Sequence, residues 1–208
     1  MESLAAERLT GRDVKRLETR ERVFQAAVAE FKRSGLAGAD IGAVVKAAGV
    51  AWGTFYFHFP TKEHVLAELE RREDARIAAE LARFLAGPHE VADMLAEVVR
   101  LVLTVEQHLQ RVLFREMLAL QFSPSRPEAQ PAPSEWSAYP VIVLMVEEIE
   151  RARDGGEVNR ETDPYRAVLF FLLGLYALLI TSYDQPPDSR ASLVGDFVAM
   201  AVRDLKRH

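Results

Sequence analysis

Residues 40–59 read DIGAVVKAAGVAWGTFYFHF. Two short apolar-periodic runs stand here on either side of Gly49. Asp40 is placed to cap the first, because its carboxylate can accept from the orphan N–H groups of a first helical turn. The spacing predicts one short helix over 40–48, a tight turn at Gly49, and a second short helix over 51–59 that Pro60 ends. Ile41, Val44, Val45, Ala48 and Val50 are predicted to pack on Phe55 and Phe59. Two short helices joined this tightly, braced by a longer one, make a helix-turn-helix. Its second helix projects far enough to enter a DNA major groove ~12 Å wide.

The longer brace lies just upstream. Phe24, Ala27, Val28 and Phe31 recur at i, i+3, i+4 and i+7, which predicts a helix over 12–32 with Ser34-Gly35 as its stop. Residues 1–12 are charged and expected to fray. Downstream, Thr61 can cap a long helix that holds Lys62, Glu63 and His64 in its first turn and runs to about 86, before Gly87-Pro88. Further helices are expected over 90–104, 106–122 and 135–153. Two more start at Asp163-Pro164, with Pro at its preferred first position, and at Asp188 or Ser189. Residues 123–134 hold four of the ten prolines and read as a loop. No stretch alternates as a strand would. The fold class is therefore all-α. An N-terminal three-helix DNA-binding domain over 1–62 precedes a larger C-terminal helical ligand-binding and dimerisation domain over 63–208.

Composition narrows the function classes. The chain has 208 residues, enough for a small DNA-reading module and one larger domain. It has no cysteine, which excludes disulfides, thiolate zinc sites and cysteine nucleophiles and suits a cytoplasmic location. No apolar signal segment is seen near residue 1. The net charge is −5, but residues 1–64 carry ten Lys/Arg against eight Asp/Glu, so the acidic excess lies downstream. A mildly basic head can meet phosphates locally, since distant charges are screened. The apolar run AVLFFLLGLYALLI over 167–180 is shorter than the ~18–20 residues that span a bilayer, so no membrane partner is expected. It reads as a helix buried on nearly all sides, by its own core and by a second subunit. None of His64, His89, His108 and His208 follows a Glu by three, and there is no His-Glu-x-x-His, phosphate-cradling glycine loop or Gly-x-Ser-x-Gly. An enzyme has no residue constellation to stand on, and neither metal nor cofactor is expected.

Thr19-Arg20, Ala26-Ala27, Phe31, Gly35, Ala48-Gly49-Val50, Gly53, Tyr56, His58-Phe59 and Lys62-Glu63 form a long gap-free pattern. In these residues the stretch 19–66 closely resembles the N-terminal signature of the TetR family of bacterial transcriptional regulators. The resemblance implies that Trp52, Gly53, Thr54 and Phe57 face base edges, while Tyr56, His58 and Lys62 grip phosphates. Thr19 and Arg20 would touch the backbone at the flank. It also implies a homodimer paired through the last two helices, a palindromic double-stranded DNA operator and release by a small-molecule effector. Two positions depart from the family pattern. Ala39 and Ala51 stand where a hydroxyl is common. Asp40 can replace the first as a cap, and Thr54 is the available substitute for the second. Trp52 and Phe57 lack the groups that read guanine or adenine bidentately, so readout is expected to lean on thymine methyls and DNA shape. On a helical wheel Trp52 also clusters with Phe55, Tyr56 and Phe59, which leaves a place at the rim of the core open to it.

For the larger domain, His108, Phe114, Met117, Trp136, Tyr139 and Phe171 are the candidate effector contacts, with Arg115 a second polar anchor. As a group they favour a small, mainly apolar ligand. The alternative is a DNA-binding architectural or adaptor protein with no ligand, which predicts a solid larger domain.

Overall fold

The structure, a computed structural model, describes residues 10–124, 126, 127 and 139–206. Nine helices and no strand occur among the described residues. Two compact units divide between Leu66 and Ala67, inside the fourth helix, a few residues beyond the 62/63 boundary expected from sequence.

The first unit is built on α1 (Gly11–Gly38), α2 (Ile41–Ala48), α3 (Trp52–His58) and the start of α4 (Lys62–Leu85). Helix α1 begins earlier than its apolar periodicity indicates. Thr10 and Asp13 form a reciprocal capping box, with Thr10 N donating to Asp13 at 3.1 Å and Asp13 N donating to Thr10 Oγ1 at 3.3 Å. Gly35 takes φ 69° and ψ 169°, a conformation open essentially to glycine, and kinks α1 before its last turn. Asp40 caps α2 as expected and accepts from Gly42 N at 2.7 Å. Gly49 is left-handed at φ 65°, and its N–H and that of Val50 close back onto Lys46 and Val45 carbonyls. The core between the three helices is Val23, Phe24, Ala27, Phe31, Ile41, Val44, Val45, Ala48, Phe55 and Phe59, all buried; Val50 is half-exposed.

The second unit holds the rest of α4, then α5 (Val91–Leu109), α6 (Arg111–Leu120), α7 (Pro140–Asp154), α8 (Pro164–Thr181) and α9 (Pro187–Leu205). The break between α5 and α6 falls at Gln110, several residues later than expected. Thr104 stays within the helix, its hydroxyl bonded back to the Arg100 carbonyl at 2.8 Å. Glu106 is buried and held by Arg190 Nη1 at 2.7 Å, which fixes that turn as helix. Gln110 then makes the bend at φ 68°, a left-handed conformation that a non-glycine residue adopts at some cost. Asp163 caps α8 by accepting from Arg166 N at 2.9 Å, with Pro164 at the first helical position. Helix α9 starts at Pro187, ahead of the caps expected at Asp188 or Ser189, and again uses proline in the first turn.

Helix α8 is not covered on nearly all sides within the chain. It packs on α6, α7 and α9 through Val168, Phe171, Leu172, Leu175 and Leu179. Phe170 is 68% exposed on its other side, next to Met200 of α9 at 54%. Its 18 residues are long and apolar enough to cross a membrane by length and composition, but one packed face is what a core helix shows too. The α8–α9 approach is close: a Cβ on Gly174 would sit 2.7 Å from the Phe197 ring, which stacks on Phe171 at 5.4 Å.

Candidate nucleic-acid interface and effector cavity

In α3 one face is core and the other touches little of the protein. Phe55 is fully buried and seats the helix on α1 and α2. Phe57 is 70% exposed and Trp52 53% exposed, and Tyr56 lies between them with its ring 6.2 Å from that of Trp52. Trp52 is thus neither core nor free. Its ring edge rests 3.5 Å from where a Cβ of Gly42 would stand, against the first turn of α2. Gly53 has open space around its Cβ direction, and its φ lies outside the left-handed region. Nothing inside the unit requires a glycine there. Ala51, the residue before α3, leaves that helix without a side-chain cap, and Thr54 does not supply one.

The residues expected on phosphates are differently placed. His58 is half-buried, and burial first, then the nearby charges of Arg20 and Arg16, hold its imidazole below the usual histidine range. Arg20 lies over the Phe59 ring with its guanidinium carbon 4.5 Å from the centroid. Lys62 Nζ donates to the Leu36 carbonyl at 3.1 Å, which ties the start of α4 to the kinked end of α1 and leaves two N–H donors for other acceptors. One residue that sequence reasoning missed ties α1 to the start of α2. Glu30 is buried and accepts from Asp40 N at 3.1 Å, Ser34 Oγ at 3.1 Å and Arg33 at 2.7 Å. These bonds, the Asp40 N–H foremost, hold its carboxyl below the ordinary range. An acid ten residues ahead of a cap, on the inner face of a helix, is the sequence signal that was available.

The second unit contains a cavity of about 230 Å³ between α4, α5, α6, α7 and α8. Of the residues expected at a ligand, Phe114, Met117 and Tyr139 line it. His108 does not; its Nε2 bonds Glu73, which does, at 2.9 Å. Phe171 stacks on Phe197 in the separate cleft beside α9, and Arg115 lies over the Tyr183 ring at 4.4 Å. Trp136 lies outside the described residues, as does most of the proline-rich stretch.

The cavity wall also carries three acids from α4 that sequence reasoning passed over: Glu70, Glu73 and Asp74. Arg76 Nε, at 2.9 Å, and His108 take the two oxygens of Glu73. Arg126 Nη2 reaches Glu70 Oε1 at 2.9 Å, where Gln121 also donates, and the same nitrogen donates to the Tyr139 hydroxyl at 2.9 Å. Glu70 Oε2 is buried and has no hydrogen-bond partner among the described residues. Burial raises the Glu70 carboxyl above its ordinary range despite Arg126. Burial, helped by the Glu70 charge and opposed by the Val141 N–H, pushes Asp74 up to about 7. The Tyr176 hydroxyl is raised by burial and by both acids.

Known proteins resemble this chain in sequence over its N-terminal part and in fold over most of its length. The family model described as bacterial regulatory proteins, tetR family, matches residues 23–69. The regulator UidR of Escherichia coli is 32% identical over 101 residues, which cover 49% of this chain and 50% of that one; the match spans about half the length of this curated relative. Among solved structures, Thermus thermophilus FadR, a TetR-family repressor in complex with lauroyl-CoA, superposes with a TM-score of 0.74 at 22% identity, covering 91% of this chain and 96% of that one. Bacillus subtilis FadR, in complex with stearoyl-CoA, gives 0.67 at 19% identity over 88% and 98%. Residues 23–69 thus carry the N-terminal sequence pattern of the tetR family of bacterial regulatory proteins, and most of the chain shares the fold of these solved structures.

Proposed function

We propose that this chain is a homodimeric, ligand-responsive transcriptional repressor and not an enzyme. The observation that carries the DNA-binding half is the outward face of α3, where Trp52, Gly53, Tyr56 and Phe57 meet little of the protein itself. Trp52, Gly53, Thr54 and Phe57 face base edges. Tyr56, His58 and the spare donors of Lys62 hold phosphates. Phosphate contacts set register and salt dependence, and only the base-facing set can choose a sequence.

The dimer rests on α8 and α9. Phe170, Leu173, Leu193 and Met200 are exposed apolar side chains on these two helices, and grouped exposed apolar surface marks an interaction site. A second copy covers it, and two heads ~34–36 Å apart read a palindrome. The cavity on α4–α8 supports an effector over the ligand-free architectural reading, which expects a solid domain. It is small beside the ~300–1,000 Å³ of common ligand sites, so the effector is small. The acyl-CoA complexes of the Thermus and Bacillus proteins support ligand binding in this fold without naming the ligand here. Selection of bound sequences from random duplex DNA by the purified chain tests the reading. A palindromic winner is expected, bound by a dimer in sedimentation. A 23 kDa monomer at micromolar concentration, or binding that is equal on all sequences, refutes it.

A further inference from the structure

The effector cavity has unbalanced chemistry. Its wall is apolar on α5, α6 and α8, through Val105, Phe114, Met117 and Leu172, and acidic on α4. Three carboxylates reach it, and guanidinium groups pair with two: Arg76 with Glu73 and Arg126 with Glu70. Asp74 has no cationic partner among the described contacts, and it stands close enough to Glu70 to feel its charge. The wall residues among those described include no Lys, Arg or His. Glu70 is 8% exposed, and its Oε2 has no donor. A buried carboxylate oxygen without a donor is costly. Arg76 Nη2, a buried donor that also lacks a partner, is on a residue that is not part of the wall, so it offers nothing to an anion inside.

We propose that the effector is a small amphiphilic amine. Its protonated nitrogen donates to Glu70 Oε2 between Glu70 and Asp74, and its apolar body lies on Phe114, Met117 and Leu172. A positive charge beside Glu70 and Asp74 favours the ionised form of both carboxyls, and an N–H donor satisfies the oxygen that lacks a partner. A neutral ligand does only the second, and an anion does neither. This inference rests on the reading of the cavity as an effector site.

The test uses the full chain and three probes with one body: 3-phenylpropan-1-amine, 3-phenylpropan-1-ol and 3-phenylpropanoate, titrated calorimetrically near neutral pH. The amine is expected to bind at least tenfold more tightly than the alcohol, with the carboxylate weakest. Glu70→Gln is expected to remove most of that tenfold advantage while leaving alcohol binding within a factor of about three. Asp74→Asn should shrink the advantage too, and it stands in if Glu70→Gln fails to fold. An alcohol that matches the amine, or a carboxylate that exceeds it, overturns the inference and leaves the effector reading intact. An amine preference untouched in both variants also overturns it, since the charge would then lie elsewhere. Failure of all three probes and of their 2-naphthyl homologues overturns both the inference and the cavity's role.

Discussion

Gly53→Ala separates folding from DNA binding more cleanly than any other single change in the first unit. A glycine in a helix is worse than alanine by about 0.5–1 kcal/mol, because it gives up more backbone freedom on folding. That cost is usually offset by a close contact or a left-handed backbone. Gly53 has neither: its φ is not left-handed, and a Cβ built on it meets nothing within 4 Å. The added methyl is therefore expected to stabilise the chain. For a protein of this length, 0.5–1 kcal/mol corresponds to a rise in Tm of about 1–4 °C. If a DNA strand comes against this position, the same methyl keeps it off. A loss of tenfold or more in operator affinity, about 1.4 kcal/mol, is expected, with the Trp52 and Phe57 contacts disturbed as well. Thermal unfolding followed by circular dichroism and fluorescence-anisotropy titration of the selected operator measure the two effects. A fall in Tm shows that the glycine serves the fold. Unchanged operator affinity shows that no DNA comes near it. Either result refutes the reasoning.

Gly49→Ala should act in the opposite sense, because Gly49 is left-handed at φ 65°: about 1–2 kcal/mol of destabilisation in chemical denaturation is expected, and a stability within 0.3 kcal/mol of the parent would refute the turn argument. DNA binding should tighten as pH falls below about 6.5. Free His58 is neutral there longer than an ordinary histidine, phosphate favours its protonated form, and binding therefore takes up a proton. His58→Gln should flatten that pH dependence, and an unaltered profile would remove His58 from the phosphate contacts. Glu30→Gln should cost about 1–2 kcal/mol near neutral pH, chiefly through the Asp40 N–H and Ser34 bonds, since the exposed Arg33 adds little. The carboxyl of Glu30 is lowered on folding, so its contribution is present above the unfolded-state value and is lost as pH falls through the folded one. Melting curves between pH 3 and 7 should show the parent and variant converging in acid, and a constant difference would contradict this.

Short-range chemistry was legible in the sequence. Asp40, Gly49 and the Asp163-Pro164 pair act on backbone within a few residues, and each does in the structure what its residue type predicts. The apolar seam of α1, α2 and α3 was legible for the same reason, since helical periodicity is local. The α5–α6 break was not, because Glu106 is held in helix by Arg190, 84 residues away. The acidic wall of the cavity was hidden differently. In the run ELERREDAR over 68–76, Glu and Arg alternate at helical spacing, which reads as a solvated face laced with ion pairs. Glu68 pairs with Arg71 and Arg72 in that manner, although its own side chain is buried. Glu70 and Asp74 are turned into the second unit, and only the partners brought by α6 and α7 reveal it. Helix α8 misled through its composition, since an all-apolar helix and one covered partly by a second chain look alike until the packing is known.

The two proposed activities meet on one helix. Lys62 opens α4, in the first unit, and Glu70, Glu73 and Asp74 stand farther along it in the second. A ligand that binds both arrangements of α4 equally shifts nothing, however tight it is. The effector must therefore prefer the arrangement that DNA does not, and a tenfold release of operator needs only about 1.4 kcal/mol of such preference. A charge placed against α4 itself can supply it, because any displacement of that helix changes the distance between the amine and the two carboxylates. An apolar body on α5, α6 and α8 is far less sensitive to the same displacement. On this argument the head group sets release and the body sets affinity. In titrations of effector against the operator complex, lengthening the apolar body should lower the concentration needed while leaving the maximal release unchanged. Replacing the amine by the alcohol should lower the maximum itself. Equal maxima for the two heads would place the coupling elsewhere than in α4.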